Sequence, residues 1–269
     1  MDLNKILFVN HEIYPYLPET PTSRQANQLA QGVQERGIEV RTFMPKYGCI
    51  NERRNQLHEV IRLSGMNIII DDNDHPLIIK VATLQPTRMQ VYFFYNDDYF
   101  THGGTKELET VSSPTDNDER SIFFVRGSLE TVKKLRWIPE LVQCQGWISA
   151  LTAVYLRYVY CDDPVFTNAK VVLQIFNDKL DTPLDARLAE KLQQDGVPAE
   201  ALKAIAGKPV STTDLYKLAI DAADAVVEAC PEADPELIAY AKSAKKPVLA
   251  YPGDGDKSVD AYIDFYRSL

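Results

Sequence analysis

The chain has 269 residues, an apolar fraction of 45%, a charged fraction of 25% and a formal net charge of −9. That length suits one large α/β domain, and the negative balance argues against nucleic acid or an anionic membrane surface as partner while leaving neutral glycans open. Four cysteines (Cys49, Cys144, Cys161, Cys230) without a Cys-x-x-Cys pair fit a reducing compartment, so a cytoplasmic protein without signal peptide or membrane span is expected.

Ile6–Val9 is a short apolar run that predicts a central strand covered on both faces. It empties into His11-Glu12-Ile13-Tyr14-Pro15-Tyr16, the position where an open α/β sheet binds ligands. Ser23 is the expected cap of a helix over Arg24–Arg36, stopped by Gly37, and Ile38–Met44 reads as a second, parallel strand. The β-rich runs His58–Leu63, Asn67–Ile70 and Leu77–Thr83 suggest a small β-hairpin insertion over 58–83, with Met89–Tyr95 returning to the main sheet. The polar stretch 101–116 contains Gly103-Gly104 and is expected to be a mobile loop.

Helix and strand then alternate. Asn117–Leu135 reads as a long amphipathic helix, Leu141–Cys144 as a strand, Trp147–Val159 as an apolar helix and Lys170–Ile175 as a strand. Leu184–Asp195 and Ala199–Ala206 read as shorter helices, and the segments from Asp214 to Arg267 finish as α-β-α-β-α. The alternation predicts a doubly wound, mainly parallel sheet of about six or seven strands over residues 1–269.

The motifs exclude more than they assign. No Gly-x-Gly-x-x-Gly follows the first strand, and Gly207-Lys208-Pro209 lacks the spacing and the hydroxyl of a phosphate loop. Pro252–Ser258 reads as a tight turn with an aspartate cap. His58, His75 and His102 are scattered without metal spacing, and the pairs Asp71-Asp72, Asp97-Asp98 and Asp162-Asp163 read as solvated turns, so no metal and no cofactor is expected. Gln145 and Trp147 offer an amide and an indole at a strand exit, chemistry that suits a sugar, although Trp147 could equally pack inside at a helix start. His11, Glu12, Tyr14 and Tyr16 at the first strand exit and Asn177 at a later one complete the candidate ligand-binding set. No catalytic residue is assigned.

Several segments resemble, in order, the N-terminal domain of bacterial glycogen and starch synthases: Lys5–Pro15, Arg36–Arg41, Met44–Gly48, Val91–Phe100, Asn117–Arg120 with Phe123-Phe124, Gln145-Gly146-Trp147, and Lys170–Asn177. The resemblance implies half of a glycosyltransferase B-type fold, a Rossmann-like unit whose family counterpart closes on a second domain around ADP-glucose. The family's Lys-Thr-Gly-Gly-Leu loop is here Pro18-Glu19-Thr20-Pro21-Thr22, and its His-Asp-Trp-His-Thr is Gln145-Gly146-Trp147-Ile148-Ser149. Loss of the lysine removes a phosphate counter-charge, and loss of the glycines hinders close backbone approach. The expectation is a synthase-like domain without independent glucosyltransferase activity that binds α-glucan or a protein partner. The alternative is a true ADP-glucose-dependent enzyme completed by a second chain or by a homo-oligomer.

Overall fold

In the computed structural model, residues 3–100 and 115–269 are described. A sheet of ten strands carries helices on both faces. Seven strands run parallel in the order β10 (Val248–Leu249), β9 (Ala225–Glu228), β8 (Lys170–Ile175), β7 (Leu141–Gln145), β1 (Lys5–Asn10), β2 (Glu39–Pro45) and β6 (Met89–Tyr95). Beyond β6 the sheet turns antiparallel through β5 (Asn73–Leu84), which pairs with β3 (His58–Glu59) and β4 (Met66–Ile70). The expected insertion over 58–83 is this antiparallel wing.

Strand β1 is central because every residue from Ile6 to Asn10 is buried, as a strand covered on both faces requires. It pairs with β2 on one side and β7 on the other, with Asn10 opposite Gln145. The chain winds from β1 through α1 (Pro21–Glu35) to β2 and β6. It crosses back through α3 (Asn117–Leu135) to β7 and continues outward to β10. The exits of β1 and β7 therefore form the point where the winding reverses, and a crevice opens there by topology alone. α9 (Asp256–Arg267) packs on α1, where Gly32 admits Val259; a Cβ at Gly32 would lie 2.7 Å from a Val259 methyl.

Several expected boundaries move. α1 begins at Pro21 with Thr20 as its cap; Ser23 is its third residue and closes the capping box. Proline at the first helical position has its φ pre-set for the helix, which favours the earlier start. The expected helix over 147–159 splits into a 3-10 turn at Trp147–Ser149 and α4 (Leu151–Tyr158). The helix expected over 184–195 is confined to α5 (Leu188–Gln194), because Leu184 instead bridges to Val210. α9 has no aspartate cap; Gly255 precedes it, and Asp256 pairs with Arg36 at 3.0 Å. Asp71 is no freely solvated carboxylate, since both its oxygens accept from Arg187 at 2.7 Å. Asp97 and Asp98 open the short helix α2 (Asp97–Phe100). Most of the expected mobile loop, residues 101–114, lies outside the described residues.

Candidate functional site

His11 and Gly146 sit directly at the crevice. The His11 amide donates to the Gln145 carbonyl at 3.0 Å, tying the two strand exits together. Gly146 adopts φ 78°, ψ 160°, a region essentially reserved for glycine. A Cβ there would lie 2.5 Å from the His11 Cβ, so the histidine occupies the space that a side chain at 146 would need. The His11 ring meets Trp147 edge-on at 5.7 Å and Tyr47 at 6.2 Å, and the Tyr47 hydroxyl donates to the His11 carbonyl at 3.1 Å. Burial, helped by the Arg120 guanidinium, pushes His11 down to about 4, so its imidazole is neutral at pH 7.

Asp178 anchors the other side. Its Oδ2 accepts from the Trp147 amide at 2.9 Å and from the Tyr216 hydroxyl at 2.7 Å, which places Tyr216, from α7 (Thr212–Ala222), beneath the 3-10 turn. Burial pushes the Asp178 carboxyl above its ordinary range. Burial likewise raises Glu12, with hydrogen bonds from Thr20 and the Ser23 amide opposing it and the Asp178 charge adding to it.

The turn from β1 into α1 is closed by its own side chains. The Thr20 hydroxyl oxygen accepts from the Ser23 amide at 2.9 Å, and the Ser23 hydroxyl oxygen accepts from the Thr20 amide at 2.9 Å. The Thr20 hydroxyl donates in turn to the Glu12 carboxylate. Pro21 has no amide hydrogen to offer. Glu12 thus brings negative charge to the helix N-terminus, where an external anion would otherwise be favoured. The nearby Arg24 pairs with Glu19 at 2.8 Å.

The structure brings His11, Glu12, Gln145 and Trp147 together, but not as an open binding face. Trp147 is 1% exposed, so its indole packs inside, as the packing alternative for this residue requires. Gln145 is fully buried and donates to the Thr22 carbonyl at 3.1 Å; its neighbour in register, Gln174, donates to Gln25 and Tyr262. Tyr16 is buried edge-on against Phe93 at 4.8 Å, and burial raises its phenol to about 12. Tyr14 stands outside at 40% exposure, and Asn177 is exposed at the end of β8. Sequence reasoning missed Gly146, Asp178, Tyr47 and Tyr216. Only Gly146 carried a local signal, a lone glycine at a strand exit.

Open space lies further along the same edge. A recess of about 240 Å³ is lined by Pro21, Gln25, Phe176, Cys230, Tyr251 and Asp254. A second, of about 330 Å³, lies between Asp178, Lys179, Thr182, Ser211, Thr212 and Asp234. Among the described residues no group of three or more His, Cys, Asp or Glu is placed to hold a metal ion. No helix among them is long and apolar enough to cross a membrane.

A family profile described as the starch synthase catalytic domain matches residues 5–243. The chain is 34% identical over 194 residues to a glycogen synthase of Chlorobium phaeobacteroides, covering 72% of this chain and 40% of that protein. It is 35% identical over 175 residues to a glycogen synthase of Chlorobium chlorochromatii, covering 65% and 36%. The chain thus spans about 40% of the length of the curated relatives it matches. The solved catalytic domain of Starch Synthase IV from Arabidopsis thaliana, bound to ADP and acarbose, aligns with a TM-score of 0.72 at 17% identity, over 96% of this chain and 53% of that one. That likeness is one of fold.

Proposed function

The chain belongs to the starch synthase catalytic-domain family, and from that premise we propose that it binds α-glucan without itself transferring glucose from a sugar nucleotide. The observation that carries this reading is the self-closed turn at the start of α1. Thr20, Ser23 and Glu12 use each other's donors and acceptors, and Pro21 has no amide to give, so a diphosphate meets a carboxylate and no free cation. Gly146 supports the same reading, because it stands where the family motif has an aspartate and His11 fills the space.

The glucan half of the proposal draws on the recess lined by Phe176, Tyr251 and the Asp254 carboxylate, with Tyr251 the more exposed of the two rings. Aromatic rings with a carboxylate partner suit a neutral polyol, which the net charge of −9 does not repel. The four free cysteines support a reducing, cytoplasmic setting.

The test is calorimetric titration with maltoheptaose and, separately, ADP-glucose, together with a transfer assay of labelled glucose from ADP-glucose onto glycogen. Maltoheptaose should bind, ADP-glucose should not, and transfer should equal the no-protein control. Transfer by the chain alone overturns the proposal. Transfer only in the presence of a second chain favours an enzyme completed in trans. Lack of glucan binding by the folded chain removes the carbohydrate half and turns attention to a protein partner at the same edge.

A further inference from the structure

The antiparallel wing carries a buried polar chain that the carboxyl edge does not use. His75 lies in β5, opposite Ile68 of β4, and its Nε2 is 2.9 Å from the Tyr99 hydroxyl on α2. That hydroxyl is also 2.9 Å from Glu119 Oε2 at the start of α3. Glu119 Oε1 and Asp118 Oδ2 both accept from Lys191 Nζ of α5, at 2.6 and 2.7 Å. The His75 and Tyr99 rings lie 4.6 Å apart.

Donor counting fixes the direction of this chain. Burial and the Glu119 charge raise the Tyr99 phenol, so it keeps its single proton. Glu119, whose other oxygen accepts from Lys191, is the acceptor of that proton. The Tyr99 oxygen can then only accept from His75, which places the proton of a neutral His75 ring on Nε2. Nδ1 is left with a bare lone pair 3.5 Å from Asp98 Oδ2, acceptor facing acceptor, with no hydrogen-bond partner. A proton arriving at Nδ1 replaces that unfavourable pair with a charged N–H pointed at a carboxylate.

We propose that His75 is a proton-operated latch: uptake of a proton at Nδ1 ties β5 to α2 through Asp98. β4 contributes Ile68 and no charge, β5 contributes the neighbouring Asp74, α2 contributes Asp97 and Asp98, and the start of α3 contributes Asp116, Asp118 and Glu119. Among the described residues the basic group placed against this cluster is Lys191, already bound by two carboxylates. The latch also reaches toward the crevice. Phe100, next to Tyr99, packs 5.9 Å from Tyr47 and beneath the Arg120 guanidinium at 5.2 Å, and Tyr47 packs against His11. Nothing in this inference depends on what the carboxyl edge binds.

The experiment is long-range ¹⁵N–¹H NMR of the histidine rings in the full chain, wild type and Asp98→Asn, across a pH titration. Asp98 is a suitable probe because its side chain is 68% exposed, so the variant leaves the core untouched. The neutral wild-type ring should show a protonated Nε2 and a bare Nδ1. The Asp98→Asn variant should bind the second proton about two- to five-fold more weakly, the range of an ion pair with one exposed partner. The amide protection factors of Tyr99 and Phe100, which remove the intrinsic slowing of exchange in acid, should rise on acidification in the wild type and not in the variant. A neutral ring protonated at Nδ1, or a titration midpoint unchanged by Asp98→Asn, overturns the proposal.

Discussion

The exits of β1 and β7 and the exits of β8 and β9 lie on one sheet edge, yet they are built in opposite ways. At β1 and β7 the space is filled and some polar groups pair with each other: His11 fills the place beside Gly146, Asp178 holds the Trp147 amide, and Thr20, Ser23 and Glu12 close the helix start, while the Asn10 side-chain amide, Gln145 Oε1 and Trp147 Nε1 are buried without a hydrogen-bond partner. At β8 and β9 the side chains of Phe176, Cys230, Tyr251 and Asp254 stand around open space. Topology places a crevice at the first pair of strands. Side-chain packing fills it there, and among the described residues a recess stands open further along.

Substitution at the closed end should give the largest effects. Gly146→Ala puts a Cβ against His11 and forces alanine into a glycine-only conformation, so it should cost about 2–5 kcal/mol by denaturant unfolding. Adding His11→Ala removes the ring contacts at 3.0 Å but keeps the Cβ at 2.5 Å, so it should recover only part of the steric cost and leave the backbone penalty of about 1–3 kcal/mol in place. Full recovery by the double variant breaks the strain argument.

Acidification provides the next test. The folded-state value of His11 lies at about 4, below its ordinary 6.5, so the folded protein binds fewer protons there than the unfolded chain. Its contribution is full above 6.5 and is lost as pH falls toward 4. Relative to His11→Asn, the wild type should lose about 1–2 kcal/mol across that window, the residual solvent exposure of His11 reducing the full linkage value. Glu12 and Asp178 act with the opposite sign, since their carboxyls are raised and their neutral forms favour the fold. Measuring the difference between the two proteins cancels them. A difference that stays flat with pH removes the buried, neutral imidazole from the account.

Thr20→Ala should cost about 1 kcal/mol, because the Ser23 amide and the Glu12 carboxylate each lose the hydrogen bond to the Thr20 hydroxyl. The smallest effect on stability belongs to the open end. Tyr251→Ala should change unfolding by less than about 0.5 kcal/mol, while weakening maltoheptaose about fivefold, the scale of one lost aromatic contact. Equal affinity in the two proteins moves the glucan away from this recess.

Much of the scaffold was legible from local pattern. The apolar run at Ile6–Val9 marks the central strand, the helix–strand alternation marks the winding, and the absence of lysine and glycine at residues 16–23 marks the altered turn. The strand and the winding read correctly because burial on both sheet faces demands particular residue types over a few consecutive positions. The candidate site was less legible. Trp147, Gln145 and Tyr16 have the right chemistry for a sugar but point inward, and nothing within a few residues of them says so.

Residue types along the chain therefore determined the family and the mainly parallel sheet with its antiparallel wing. Tertiary packing alone decided which polar groups remain available. Asp178 reaches the Trp147 amide across 31 positions of sequence, and Gln145 reaches the Thr22 carbonyl across 123. A buried donor or acceptor must find a partner wherever the fold supplies one, and that supply is set by neighbours in space, which the order of residues does not display.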